Sequence, residues 1–262
     1  MSLSAEQRLE AAEALRVAEE TQVAIAPLIQ TYPGIDVVDA YEIQLLNIRR
    51  RLAAGTTVHG HKVGLSSKAM QEMMGVDEPD YGHLLSDMVY TEDAPVPTGS
   101  FLIPRVEVEV GFILGDDLPG EGCTVEDVLR CTDYIAPAIE LIDSRIADWK
   151  IGLMDTISDN ASSCGVILGK ERVRPADLDI KAIDATLTIN GNKVAEGTSG
   201  AVLGDPTIAV AWLAQKVASF GVRLEKGHVV LPGSCTRAYD VKPGDDVVAE
   251  FAGLGSVSIS FT

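Results

Sequence analysis

A strictly alternating stretch of the chain runs Pro104-Arg105-Val106-Glu107-Val108-Glu109-Val110-Gly111-Phe112. Successive side chains of a β-strand point to opposite faces, so the stretch predicts a strand with Glu107 and Glu109 side by side on one face. The valines and Phe112 then cover the other face. Two glutamates on one strand face are common on a solvated sheet, so this pattern alone predicts a half-buried strand and no site.

A second apolar run, Tyr134–Asp143, contains a lone Glu140. An unpaired charge among hydrophobic residues costs several kcal/mol, so this carboxylate needs a partner. If Glu107, Glu109 and Glu140 meet, three oxygen ligands with no His or Cys favour Mg²⁺ or Mn²⁺. The cation would keep three mutually repelling carboxylates ionised. We therefore predict a divalent metal site, suited to a chelating 2-oxo or 2-enol carboxylate.

Three further segments carry polar groups. His59–Leu65 places Lys62 in a strand interrupted by glycines, where an ammonium either pairs with a carboxylate or takes part in chemistry. Asp77–Gly82 predicts a turn-rich loop, whose Asp80 is either a general acid or base or simply a polar loop residue. Asp155–Ser163 is dense in hydroxyl and amide groups that could bind a carboxylate or orient water, although a capped turn accounts for it equally well.

The chain changes character near Thr56. Residues 4–54 are helical in pattern, with a capping-box signature at Ser4 and Gln7 and a second amphipathic stretch after Asp36. Short Val, Ile and Phe-rich runs separated by Gly and Pro follow. We predict an α+β protein with an N-terminal helical segment, 1–55, and a β-rich catalytic domain, 56–262.

Turn and helix-capping motifs within residues 56–262 predict individual strands and one helix. Asn190-Gly191 predicts a hairpin turn between strands 184–189 and 193–197. Asp205-Pro206 predicts the start of a helix that runs to Phe220 and ends at Gly221. Further strands are predicted at Val229–Leu231, Val247–Phe251 and Ser256–Phe261.

The composition and net charge of the chain exclude some classes of binding partner. The 262 residues are 46% hydrophobic, enough to bury a sizeable core, and 39 acidic against 21 basic residues give a formal charge of -18. That charge repels nucleic acids and anionic lipid surfaces. No apolar run approaches the roughly 18 to 20 residues of a membrane span, and the N-terminus is too charged for a signal peptide. We expect a cytoplasmic protein whose four scattered cysteines are reduced.

Several motifs occur in a fixed order from about residue 5 to the C-terminus. They are Gly60–Leu65, Glu78–Gly82, Pro104–Glu109, Ser144–Trp149, Ser158–Ser162 and Leu254–Val257. Together they resemble the 2-keto-4-pentenoate (2-hydroxypenta-2,4-dienoate) hydratases of the fumarylacetoacetate hydrolase superfamily. Several ordered motifs are far more specific than any one of them.

The resemblance implies a mixed β-roll core of the fumarylacetoacetate hydrolase type, a homo-oligomer, and a divalent metal, Mg²⁺ or Mn²⁺, held by Glu107, Glu109 and Glu140. It implies an enzyme that adds water to a 2-hydroxy-2,4-dienoate to give a 4-hydroxy-2-oxoacid, in meta-cleavage catabolism of aromatic compounds or steroids. Association with a sister decarboxylase or a downstream aldolase is also expected.

The resemblance also assigns roles to single residues. Lys62 and Asp80 match the positions of the family's acid and base groups. Asn160, Ser162 and Leu85 match positions on the substrate side. On this reading Asp80 delivers or removes a proton, and Lys62 stabilises negative charge on oxygen.

Alternatives remain open within the superfamily. A 2-oxo-3-hexenedioate (4-oxalocrotonate) decarboxylase shares the carboxylates and the lysine. A 2-oxohepta-4-ene-1,7-dioate hydratase is similar around Gly233–Arg237, where Arg237 could bind a distal carboxylate or pair with a surface acid. A catalytically silent subunit that stabilises a decarboxylase is a third alternative. The motif versions at His61–Val63 and Pro79–Tyr81 favour a hydratase over the decarboxylase. The compact segment Asp148–Asp155 lacks the longer insertion of the seven-carbon relative, which favours the five-carbon monoacid or a modestly extended homologue.

Overall fold

The structure is a computed structural model that describes residues 2–262, without the side chains of residues 73 and 74. The α-helices in this range are α1 (Ala5–Thr21), α2 (Leu28–Thr31), α3 (Val37–Ala53), α4 (Lys68–Met74), α5 (Val125–Cys131), α6 (Leu153–Ser158) and α7 (Pro206–Ala218). The strands are β1 (Val58–Gly64), β2 (Asp80–Leu85), β3 (Val89–Tyr90), β4 (Arg105–Leu114), β5 (Thr132–Ile142), β6 (Ser163–Leu168), β7 (Asp184–Ile189), β8 (Asn192–Thr198), β9 (Val229–Leu231), β10 (Tyr239–Asp240), β11 (Asp246–Phe251) and β12 (Gly255–Ser260).

The helical N-terminal segment begins as its sequence predicts. Ser4 accepts a hydrogen bond from the backbone N–H of Gln7 and completes a capping box at α1. Asp36 caps α3 in the same way. The buried Asp39 of α3 binds the Arg8 side chain of α1, which joins the two helices. Tyr41 of α3 is buried in the main hydrophobic core, so the helices pack on the sheet. A domain boundary near residue 56 stays a prediction.

Two sheets form the β-rich part. The larger has the order β2-β1-β9-β4-β5-β6-β3, with β10 added on β4, and the smaller has the order β12-β11-β7-β8. The larger sheet is mixed, because β1 pairs with β9 and β3 with β6 in parallel while the other pairs are antiparallel. This confirms the α+β class and the mixed sheet.

The two faces of the larger sheet differ. The predicted alternation in β4 is confirmed, since Val106, Val108 and Val110 lie in the main core with side chains of the smaller sheet and α7. The opposite face carries Glu107 and Glu109. Further along, that same face is apolar and packs in a second cluster that includes Ala138, Val166 and Leu231.

The larger sheet curls around its carboxylate-bearing face. Lys62 on β1 and Glu140 on β5 are separated by β9 and β4, so three strand spacings lie between them. In a flat sheet their backbones would be roughly 14 Å apart. The Lys62 Nζ nevertheless lies 3.4 Å from Glu140 Oε1. The curl therefore brings side chains of distant strands to one interior point.

Most local predictions are confirmed. The hairpin turns at Asn190 and Gly191, both with positive φ, as a type I′ turn requires. Helix α7 begins at Pro206 with Asp205 as its cap, and it ends at Ala218, two residues before the predicted end. The strands predicted near the C-terminus occur as β9, β11 and β12.

The prediction of a turn-rich loop at residues 77–82 is wrong in its second half. Asp80 is the first residue of β2 and pairs with Gly64 of β1. The turn ends at Pro79, because backbone pairing with β1 overrides the local turn preference from that point. Asp80 is consequently buried, with 1% of its surface exposed.

The cysteines Cys123, Cys131, Cys164 and Cys235 are all free thiols, as predicted. None of the helices described is long and apolar enough to cross a bilayer.

Candidate active site

The three predicted metal ligands meet on the interior face of the curled sheet. Glu107 and Glu140 are register partners on β4 and β5, and Glu109 follows two residues along β4. One carboxylate oxygen from each lies within 4.8 Å of the others. Glu109 and Glu140 are fully buried, and Glu107 is partly buried. The strand pairing itself thus assembles the cluster.

The electrostatics of this cluster are unfavourable without a cation in addition to the Lys62 ammonium, which only partly offsets the effects of burial and repulsion. Burial raises the pKa of Glu140 to about 7. Burial also raises the pKa of Glu107. The pKa of Glu109 rises well above its usual value, first through burial and then through repulsion by Glu140 and Glu107. Each ionised carboxylate therefore opposes ionisation of its neighbours.

The donor set fits a divalent cation. The buried oxygen Oε1 of Glu109 and both side-chain oxygens of Glu140 have no hydrogen-bond partner among the described residues. Glu109 Oε2 accepts a hydrogen bond from the Gly233 backbone N–H, at 2.7 Å, which orients this carboxylate. Hard oxygens without nitrogen or sulfur donors match Mg²⁺-like ions. Glu107, Glu109 and Glu140 could therefore hold a metal ion.

Lys62 lies directly beside the carboxylates. Its ammonium is 3.4 Å from Glu140 Oε1 and donates a hydrogen bond to the Ala161 carbonyl oxygen at 3.0 Å. Burial lowers the pKa of Lys62, but the surrounding carboxylates, Glu140 first, raise it by more, so the group stays charged. Of the two roles considered for Lys62, pairing with a carboxylate is observed, and the chemical role stays a prediction.

Asp80 is held on the same interior face. The register pairs Lys62 with Gly82 and Gly64 with Asp80, which places the lysine and the aspartate on one side of the β1–β2 pair. Asp80 Oδ2 accepts a hydrogen bond from Thr156, at 3.3 Å, while its buried Oδ1 has no partner among the residues described. Burial raises the pKa of Asp80, although Lys62 opposes the shift.

Gly64 provides the space that Asp80 occupies. A Cβ atom at position 64 would lie 2.2 Å from Asp80 Oδ1. Any side chain there would displace the carboxylate, so the glycine of the His59–Leu65 motif has a steric role at the site.

The residues predicted on the substrate side lie in different surroundings. Ser162 is buried, and its hydroxyl has no partner among the described residues, so it is free to bind a ligand. Asn160 uses both polar atoms of its side chain on the backbone of His83. Leu85 packs in the second apolar cluster with Met88, and its N–H faces the Met88 sulfur at 3.3 Å. Substrate contact by these three residues stays a prediction.

An ion pair joins two of the sequence motifs next to this site. Arg145 and Asp159 are both buried, and the guanidinium binds the Asp159 carboxylate and its carbonyl oxygen. Burial raises the pKa of Asp159 to about 6, against the opposing effect of Arg145. The pair ties the end of β5 to the segment that follows α6.

Sequence reasoning did not identify the backbone groups of the site. The Gly233 N–H and the Ala161 carbonyl orient Glu109 and Lys62, and backbone groups have no residue-type signature. Thr156 was part of a polar segment but was not singled out as the partner of Asp80.

The chain is similar to a known protein family over most of its length and to known enzymes over nearly its whole length. The family model for the fumarylacetoacetate (FAA) hydrolase C-terminal region matches residues 54–261. A 2-keto-4-pentenoate hydratase of Paraburkholderia xenovorans (strain LB400) is 41% identical over 259 residues, covering 99% of this chain and 96% of that protein. A 2-oxo-hept-4-ene-1,7-dioate hydratase of Escherichia coli is 41% identical over 256 residues, covering 95% of this chain and 96% of that protein.

A solved structure shows the same fold over nearly the whole chain. It is 4-oxalocrotonate decarboxylase from Pseudomonas putida G7, complexed with magnesium and adipate. The TM-score is 0.95 at 34% identity, and the match covers 99% of each chain. The curled mixed sheet with its N-terminal helices is therefore an established architecture.

Proposed function

The chain belongs to the fumarylacetoacetate hydrolase family, and we propose that it is a metal-dependent hydro-lyase that adds water to 2-hydroxypenta-2,4-dienoate or a close homologue. The product is a 4-hydroxy-2-oxoacid. The observation that carries the proposal is the buried cluster of Glu107, Glu109 and Glu140 with Lys62 in contact and Asp80 on the same face. The 41% identity to hydratases over nearly the full length supports the reaction class.

The three glutamates would hold Mg²⁺ or Mn²⁺. A bound divalent cation supplies Lewis acidity that stabilises negative charge on the carboxylate and 2-oxygen of the substrate. The curled sheet and its second apolar cluster exclude water from most of the interior, which strengthens every electrostatic interaction there.

In the proposed reaction, residues of this chain hold and move the protons. The dienol loses the proton of its 2-hydroxyl and gains one at C5, which leaves an enone; water then adds at C4 and a proton at C3. Asp80 is suited to hold and deliver a proton, because burial raises its pKa. Lys62, kept charged by its carboxylate neighbours, stabilises negative charge that develops on oxygen. The buried Ser162 hydroxyl, which has no partner among the described residues, would orient a polar group of the substrate.

A direct assay tests the proposal. Purified protein is treated with a chelator and incubated with freshly generated 2-hydroxypenta-2,4-dienoate, with and without added Mg²⁺ or Mn²⁺. Loss of the dienoate absorbance is followed and the product is identified by mass. Metal-dependent gain of one water supports the hydratase. No turnover with either metal contradicts it.

The second candidate is a 4-oxalocrotonate decarboxylase. It is favoured by the fold shared with that enzyme at a TM-score of 0.95. Metal-dependent release of carbon dioxide from the six-carbon dicarboxylate, without hydration of the monoacid, would move the assignment to this activity. A seven-carbon dioate hydratase is tested in the same assay with its own substrate. Arg237, considered for a distal carboxylate, has its guanidinium over the Tyr239 ring at 4.5 Å.

The setting of the enzyme is also proposed. Following the family resemblance, we infer a cytoplasmic homo-oligomer that acts in meta-cleavage catabolism of aromatic compounds or steroids and associates with a sister decarboxylase or a downstream aldolase. Size measurement of the purified protein tests the oligomer, and co-purification with these two enzymes tests the association.

A further inference from the structure

The segment between α6 and β6 has an uncommon backbone. Asn160, Ala161 and Ser162 follow one another with φ of 56°, 51° and 56°. A left-handed conformation costs a residue other than glycine roughly 1 kcal/mol or more, and isolated residues are the rule. Three in succession form a left-handed turn that persists only if neighbouring structure holds it.

The Asn160 side chain holds this turn in place by hydrogen bonds to the backbone of β2. Its Oδ1 accepts a hydrogen bond from the His83 N–H at 2.7 Å, and its Nδ2 donates one to the His83 carbonyl oxygen at 2.9 Å. Two such bonds pair the amide with β2 much as a neighbouring strand would. The approach is close, because a Cβ atom at Gly82 would lie 2.2 Å from the Asn160 carbonyl oxygen. Glycine at position 82 makes this contact possible.

The turn presents one carbonyl group to the active site. The Ala161 oxygen accepts the hydrogen bond of Lys62 Nζ at 3.0 Å, the one hydrogen bond of this ammonium among the residues described. The other contact of the ammonium is Glu140 Oε1 at 3.4 Å. Lys62 and Gly82 are register partners, so the Asn160 contact lies on the strand next to the lysine. The Ala161 carbonyl oxygen and the Glu140 carboxylate together determine the position of the Lys62 ammonium.

We propose that Asn160 is a positioning residue, which holds the left-handed turn on β2 so that the Ala161 carbonyl aims the Lys62 ammonium at the carboxylate cluster. The proposal rests on the proposed function, in which Lys62 stabilises charge on the substrate. It differs from direct substrate binding by Asn160, since both polar atoms of that side chain are engaged with His83. Asn160 then acts on turnover through Lys62 and contributes little to substrate affinity.

The main test is the Asn160→Gly variant. Glycine adopts the left-handed backbone without steric cost, so the substitution removes the two hydrogen bonds and little else. We expect kcat to fall about 10- to 100-fold, as a misplaced catalytic group does, with KM within about threefold of the wild type. In a Lys62→Met background, where the ammonium is absent, the same substitution should leave the residual kcat unchanged.

The chain offers a matched control in Asn190. This residue of the remote β7–β8 hairpin also has a positive φ, 52°, and its side chain binds the Asp245 carboxylate and the N–H of Asp246 at the start of β11. Asn190→Gly should lose stability to a similar extent as Asn160→Gly and retain the wild-type kcat. A second variant, Gly82→Ala, retains the side chains of Asn160 and Lys62 and displaces the turn through the close contact of its new methyl group with the Asn160 carbonyl oxygen, so it should reproduce the fall in kcat.

A readout without turnover separates this proposal from the proposed function. Crystal structures of wild type and Asn160→Gly give the distance between Ala161 O and Lys62 Nζ, which should lengthen beyond 3.5 Å in the variant. An unchanged distance overturns the proposal, as does an additive loss in the Lys62→Met background or a rise in KM at constant kcat. If the wild type does not hydrate the dienoate, the proposed function fails, and the distance still decides the positioning role.

Discussion

Glu107 and Glu140 stand directly opposite each other on adjacent antiparallel strands, with both carboxylates on the concave face of the sheet. Opposed like charges destabilise a pair of strands. The chain tolerates the arrangement together with Glu109 two residues away, which supports the proposal that these carboxylates hold a cation.

Replacing Glu109 by glutamine should stabilise the metal-free protein. The amide can still accept the Gly233 hydrogen bond, and it removes a buried carboxylate whose pKa is raised by burial and by Glu140 and Glu107. We expect the unfolding free energy in chelator to rise by about 1 to 3 kcal/mol. Denaturant unfolding measures this. The same variant should lose the additional stability that Mg²⁺ gives the wild type, and a less stable metal-free variant would contradict the interpretation.

Metal affinity should depend on pH near neutrality. Burial raises the pKa of Glu140 to about 7 in the metal-free protein, above its ordinary value of 4.5. Below about pH 7 a proton must leave before the carboxylate binds a cation, so affinity falls as the pH falls. Above that pH the contribution of Glu140 to the dependence ends. Calorimetric titration with Mg²⁺ in buffers of different ionisation enthalpy should show proton release that is larger at about pH 6 than at about pH 8.

Asp80→Asn and Lys62→Met should separate chemistry from metal binding. Neither residue is among the three proposed ligands, so Mg²⁺ should still bind. If each acts as proposed, kcat should fall by roughly 10² to 10⁴-fold. Steady-state kinetics together with a metal titration of each variant provides the check. Near-wild-type turnover in either variant removes that residue from the mechanism.

Gly64→Ala gives a steric test of Asp80 without altering its chemistry. The added methyl would lie 2.2 Å from Asp80 Oδ1, so the carboxylate must move. We expect kcat to drop by about 10-fold or more, since small displacements of a reacting group are costly. Gly191→Ala in the remote hairpin, where a Cβ meets no atom within 4 Å, strains the backbone alone and is the control.

Acid should destabilise the fold through two buried histidines. Burial, and then repulsion by His83 and His228, holds the pKa of His61 well below 6.5, and burial lowers the pKa of His83 to about 4. Both are neutral in the folded protein, whereas the unfolded chain takes up protons below about pH 6.5. Unfolding free energy therefore falls as the pH drops from about 6.5 towards 4.

The His61→Phe variant isolates this effect. Neither ring nitrogen of His61 has a hydrogen-bond partner among the described residues, so replacement by phenylalanine removes no side-chain hydrogen bond. Its unfolding free energy should decline less steeply between about pH 6.5 and pH 4 than that of the wild type. Equal slopes in chemical denaturation at several pH values would rule out a contribution from His61.

The sequence predicted those parts of the site that have a residue-type signature. Alternation fixed the face of Glu107 and Glu109, and a charge inside an apolar run singled out Glu140. Hairpin and capping signals predicted the smaller elements, because they depend on local backbone preferences. The family resemblance added the roles of Lys62 and Asp80.

The remaining parts depend on long-range geometry. Nothing local indicates that β1 and β5 approach across two intervening strands, since the curl is a property of the whole sheet. The left-handed turn at Asn160 was not predicted because alanine and serine rarely adopt that conformation and give no signal for it. Asp80 was placed in a loop because its pairing with Gly64 is non-local.

If Glu107, Glu109 and Glu140 hold a cation as proposed, the register of β4 and β5 also links the supply of that ion to folding. A slip of one residue would turn the glutamates of one strand into the main hydrophobic core and its valines onto the carboxylate-bearing face of the sheet. A cation that binds only the correct pairing selects that pairing from its competitors, by mass action. In a cell short of magnesium, we expect newly made chains to reach the correct β4–β5 pairing slowly and to be degraded more often before they do.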